Sequence, residues 1–70
     1  MDTLIHLFEK ATMIEADNSM NQDQKDLRLA QLMTAMERKY EIPMLRNEQW
    51  ERDNPFVIRI YREISNMRSL

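Results

Sequence analysis

Apolar residues return along this 70-residue chain at intervals of three and four, the period of an α-helix that turns one face to a core. In a first segment, about residues 3–17, Leu4, Leu7, Phe8, Ala11 and Ile14 keep that spacing, and His6, Glu9, Lys10, Met13 and Asp17 fall roughly opposite. Asp2 or Thr3 is placed to accept a free amide of the first turn. Asp17-Asn18-Ser19 ends the segment, with asparagine as the expected stop because it tolerates the left-handed backbone of a helix C-terminus.

A second segment, about 21–40, carries its stripe on Leu29, Leu32, Met33, Met36 and Tyr40. Ser19 or Asn21 caps it, and Asn21 with Gln24 has the spacing of a reciprocal capping box. Asp23 and Asp26 in its first turn and Arg38 and Lys39 in its last suit the helix dipole. Pro43 disfavours helical backbone at Ile42 and stops the segment near Tyr40 or Glu41.

The stretch "NEQWERDNPFVIRIY" (47–61) leads into a third segment, about 55–69. Asn54 is the expected cap and Pro55 the first helical residue, where its missing N–H costs nothing. Phe56, Val57, Ile60, Tyr61, Ile64 and Met67 share one broad face, which is core geometry. A strand is the rival, because "FVIRIY" is rich in strand formers. The helical spacing persists to Met67 and no other segment offers a partner strand, so helix is preferred. The 43–53 linker has room for a short helix around 44–52, capped by Asn47.

These elements predict an all-α protein, a small three-helix bundle in one domain spanning 1–70. The first two helices form an antiparallel hairpin across a short turn, and the third packs across it. The complete absence of glycine agrees, since hairpin turns, phosphate-cradling loops and dinucleotide fingerprints all lean on glycine, whereas a helical bundle does not.

Composition adds limits. A chain this short buries only about 60% of the surface its unfolded form exposes, and its core supplies about 3–5 kcal/mol at most. There is no cysteine, hence no disulfide staple. Tight helix packing or association with a second chain is left. The net charge of −2 gives no overall drive toward nucleic acid or anionic lipid. It is unevenly spread: residues 1–26 hold six acids against Lys10 and Lys25, and residues 27–70 hold eight bases against six acids. No run reaches the ~18 apolar residues of a membrane span. The acidic start "MDTLIHLFEK" is unlike a signal peptide, so a cytoplasmic location is expected.

Catalytic and metal chemistry finds few residues. The single histidine, His6, has only Glu9 beside it on an exposed face, too little for a metal site. Ser19, Ser65 and Ser69 have no base at hand, and a bundle of this size is expected to lack room for a pocket of ~300 Å³. No enzyme activity, cofactor or small-molecule substrate is expected.

Recognition has more support. Ile58, Leu27, Ile5 and Met13 lie off their stripes, and clustered together they would make an apolar patch for a partner or a second copy. Seven methionines provide adaptable apolar surface, and Trp50, in a charged linker, is of the type enriched at interface centres. The expected function is therefore a small protein-interaction or regulatory accessory module, homodimer included. Its candidate surface is Trp50, Ile58, Arg59 and Arg62, with Leu27 and Ile5 as a second possibility. The alternative is a DNA-associated helical protein using Arg59, Arg62 and Arg68 on its last helix. Against that stand Glu63 among the arginines, four residues from Arg59 and able to pair with it, and a linker far longer than a helix-turn-helix permits.

Overall fold

The structure, a computed structural model, describes residues 3–68. It contains four helices: α1 (Leu4–Ala16), α2 (Gln22–Lys39), α3 (Glu48–Asp53) and α4 (Pro55–Asn66). The linker helix thus exists with the expected Asn47 cap, but it starts four residues after the expected 44, leaving Met44 and Leu45 outside it and exposed. Asp2 and Ser69, named above at the outer ends of the first and third segments, lie outside the described residues.

The helix starts follow local side-chain chemistry. Thr3 accepts the His6 N–H at 3.2 Å. Asn21 accepts the Gln24 N–H at 2.9 Å while Gln24 Oε1 accepts the Asn21 N–H at 3.0 Å, closing the capping box. Asn47 accepts the Trp50 N–H at 3.0 Å.

Two ends differ from expectation, the close of α1 and the start of α4, while α2 stops at Lys39 with Tyr40 as its cap, as Pro43 predicts. The first helix is not stopped by a left-handed Asn18. The chain leaves the helix at Asp17 (ψ 111°), whose Oδ1 accepts both the N–H and the hydroxyl of Ser19, at 2.8 and 2.6 Å. Those two bonds hold the Asp17 carboxyl below the usual carboxylate range, with smaller help from the Lys25 and Arg28 charges. The left-handed residue is instead Glu41 (φ 54°), past the end of α2. There the Ile42 N–H reaches the Glu37 carbonyl at 3.1 Å, the closing bond of a glycine-type stop made without glycine. Ile42 packs on the core and Pro43 forbids a return to helix.

Asn54 is the second correction. It precedes α4 but makes no side-chain cap to it. Its backbone N–H and its Nδ2 both donate to the Trp50 carbonyl, each at 2.9 Å. Only one residue separates α3 from α4, and its amide is drawn back to close the helix behind it.

The packing is up-down-up. Leu4 and Ile5 meet Lys39 and Tyr40 at one end of the α1–α2 hairpin, and Lys25 Nζ donates to the Glu15 carbonyl at 2.8 Å near the other. Along α4, Ile60 lies by Tyr40, Tyr61 bonds Glu37, and Arg68 reaches Met33. That order makes α4 antiparallel to α2 and parallel to α1. The buried core is Leu7 and Ala11 from α1, Leu29, Met33 and Met36 from α2, and Ile64 from α4. Leu4, Phe8, Ile14, Leu32, Tyr40, Val57, Ile60, Tyr61 and Met67 pack around it half-buried, so the three stripes meet. Phe56 is the exception. Assigned to the core face by its spacing, it is 74% exposed. It belongs to the first turn of α4 and borders an open groove with Leu4 and Ile5 of α1 and Tyr40 at the end of α2, which leaves most of its ring in solvent.

Candidate functional site

Trp50, Ile58, Arg59 and Arg62 lie where α3 packs against α4. Trp50 and Ile58 are both half-buried there, and Arg59 and Arg62 are exposed. An open groove of about 700 Å³ runs along this junction, and Ile58 at its floor is bordered by Arg46, Arg52, Arg59 and Arg62 on one hand and Glu48, Glu51 and Glu63 on the other. Arg62 Nη2 meets Glu51 Oε1 at 2.5 Å, and Arg46 Nε lies 3.8 Å from Glu51 Oε2. The Glu51 side chain is only 16% exposed, so it acts as the clamp of α3 onto α4. Among the described residues Arg59 and Glu63 make no ion pair. Much of the first candidate surface is thus spent attaching the short helix.

That attachment is directly readable, because Trp50 is the only tryptophan. Arg62→Glu would set two carboxylates against each other at the Glu51 clamp. The pair, 54% and 16% exposed, ties the short α3 to α4 and lies outside the buried core of α1, α2 and α4, so the bundle should remain folded while α3 loosens. The expected result is unchanged cooperative melting with a red-shifted, more quenchable Trp50 emission. An unshifted spectrum would mean that apolar packing alone holds α3.

The three arginines of the nucleic-acid alternative are not brought together. Arg59 and Arg62 share the α3–α4 groove with three glutamates. Arg68 turns away to α2, where its Nη1 donates to Met33 Sδ at 3.6 Å and its Nε is buried without a partner.

The off-stripe apolar residues are exposed but scattered. Ile5 (71% exposed), Met13 (72%) and Leu27 (62%) sit on different surfaces. Met13 borders a groove between α1 and α2 with Met20, Ile14 and Leu32. Leu27 belongs to none of these grooves, and about 20 Å of helix separates it from Tyr40. Ile5 alone joins a larger apolar feature. At the end of the bundle where α1 begins, α2 stops and α4 begins, an open groove of about 680 Å³ is walled by Leu4, Ile5, Tyr40, Phe56 and Ile60, with Thr3 and Lys39 at its margin. The Lys39 ammonium lies 5.8 Å from the Tyr40 ring centroid, a cation–π distance.

Phe56 and Tyr40 are the residues that sequence reasoning missed. The signal was present: Pro43 ends one helix and Pro55 starts another, so both residues stand in terminal turns. The expectation that the surface lacks room for a ligand-sized hollow is also corrected, because the helix junctions leave grooves of about 430 to 700 Å³. They are furrows open to solvent.

Among the described residues no three His, Cys, Asp or Glu side chains come together to hold a metal ion, and no helix is long and apolar enough to cross a membrane. No family model, curated protein or solved structure matches the chain.

Proposed function

We propose that the chain is a small cytoplasmic interaction module, a regulatory or accessory factor that acts by binding another protein chain rather than by catalysis. The observation that carries this is Phe56, a large aromatic side chain 74% exposed beside an equally exposed Ile5, at the mouth of an apolar groove. Single exposed apolar residues are ordinary. An aromatic and a branched aliphatic side chain flanking one groove are the anchors from which interface centres are built. The groove replaces the Trp50 surface as the favoured docking site, because Arg62 is engaged with Glu51 in holding α3 and Trp50 and Ile58 are half-buried.

The test is site-specific photocrosslinking in the cells that make the protein, with p-benzoylphenylalanine at position 56 and, as a control, at position 27. A discrete adduct from 56 with none from 27 is expected. No adduct from 56, with the substituted chain present and folded, removes the groove as a docking site.

A further inference from the structure

We infer that α3 is a detachable strap, with Glu51 as its catch on α4, and that it opens as one unit while α1, α2 and α4 stay closed. Opening bares Ile58 and frees Arg62, so the strap decides when that face of α4 meets solvent.

The first observation is what α3 touches. Among the described residues it packs on α4 and on no other helix. None of its six residues is buried. Trp50 and Ile58 are half-buried at the junction, and neither belongs to the core or to the apolar side chains packed around it. Lifting α3 therefore takes no side chain away from the cluster of Leu7, Leu29, Met36 and Ile64.

The second is where its bonds end. Asn47 accepts the Trp50 N–H, and Gln49 Nε2 donates to Asp53 Oδ1 at 3.1 Å, both within the strap. Asn54 turns its N–H and its Nδ2 back to the Trp50 carbonyl and gives α4 no side-chain cap. The helix bonds lost when α3 melts are thus its own. An isolated helix is marginal below about 12–15 residues, so a strap of six keeps its helix only while docked. Docking and helix formation are one event.

The third is the freedom at either end. Ile42 packs on the core, and the chain from 44 to 47 is exposed throughout. Asn54 alone joins α3 to α4. Between these ends Glu51 accepts from Arg62 Nη2, with Arg46 Nε 3.8 Å from its other oxygen. Few buried apolar contacts and exposed backbone bonds are the marks of a segment that opens ahead of the whole fold.

The test is native-state hydrogen exchange on the full chain, read by NMR at denaturant concentrations below the global transition, for the wild type and for Glu51→Gln. The Glu51 and Asn54 amides report on the strap, since they donate to the Asn47 and Trp50 carbonyls. The Met33 and Met36 amides of α2 report on the core. The strap amides are expected to be protected, yet to exchange about tenfold or more faster than the core pair, at a rate that low denaturant does not change. Glu51→Gln turns a charge-assisted bond into a neutral one, and should speed exchange at Asn54 about fivefold with Met33 and Met36 unaltered.

Strap and core amides that share one rate and one denaturant slope overturn the inference, because α3 then leaves only with the whole fold. Unprotected strap amides overturn it too, since nothing is docked to open. A strap that opens alone but ignores Glu51→Gln overturns Glu51 as its catch.

Discussion

Ile64→Ala should leave this chain without a cooperative thermal transition and with most of its helical circular dichroism lost near body temperature. Ile64 is fully buried and is the one α4 side chain in the innermost cluster, against Leu29 and Met36 of α2 and Leu7 and Ala11 of α1. Truncating a buried isoleucine to alanine costs about 2–5 kcal/mol, in lost transfer energy and in the cavity left behind. A core this small supplies about 3–5 kcal/mol in total. The two figures nearly cancel, so one substitution is expected to take the fold to its limit. Leu27→Ala, on an exposed position, should stay within about 0.5 kcal/mol of the wild type. Both belong at one fixed protein concentration, because association with a partner chain shifts apparent stability by mass action. A modest loss for Ile64→Ala, comparable to that for Leu27→Ala, would show that the helices are held by something other than this cluster.

The second large effect is expected in alkali. The Tyr61 hydroxyl donates to Glu37 Oε2 across the α2–α4 interface. Burial disfavours the phenolate, the bond and the negative charge of Glu37 disfavour it further, and Arg68 pulls weakly the other way. The result is a Tyr61 pKa pushed up to about 12 from the ~10 of a free phenol. A folded-state value above the unfolded one means that the native state holds the proton more tightly. The contribution of Tyr61 to stability is therefore fully present below about pH 10 and is lost as pH rises toward 12. In a Tyr40→Phe background Tyr61 is the only phenol, and its phenolate absorbance should titrate with a midpoint near 12. Between those limits the melting temperature of Tyr61→Phe should fall less steeply than that of the parent. An absorbance midpoint at the free-phenol value would mean that the Glu37 contact does not persist in solution.

Where the sequence was legible, the physics was local. The capping box of Asn21 and Gln24 and the cap at Asn47 each join groups three residues apart, so the chain carries the whole interaction in its own order. The stripes were legible for a related reason: Leu7, Ala11, Leu29, Met33, Met36 and Ile64 keep helical spacing, and a helix fixes which of them share a side. What stayed hidden depends on a neighbour in space. Phe56 keeps the same spacing as Ile64, and only the place where the other helices end decides that one is bare and the other buried. Asn54 precedes a helix like any cap, but the short helix behind it claims its amide. Arg68 reads as part of a basic face until Met33 is placed beside it. Glu51 reads as one more solvated acid until Arg62 and Arg46 close on it. The left-handed turn fell to Glu41 because no glycine was available, and composition alone could not say which residue would take that conformation.

The unequal connections between the helices set an order in time. Between α1 and α2 lie five residues, and a loop of that length closes on the order of tens of nanoseconds. α4 arrives only after the much longer passage from Tyr40 to Asn54 has folded back, and each doubling of a loop adds about 0.6 kcal/mol of closure entropy. The hairpin is therefore the early structure and α4 the late one. On that order the bundle is expected to open by releasing its last helix, with Ile64 withdrawn and the faces of Leu29 and Met36 briefly wet. The Tyr61–Glu37 bond is the polar link across that seam, so Tyr61→Phe should speed hydrogen exchange of the α4 amides more than those of α1.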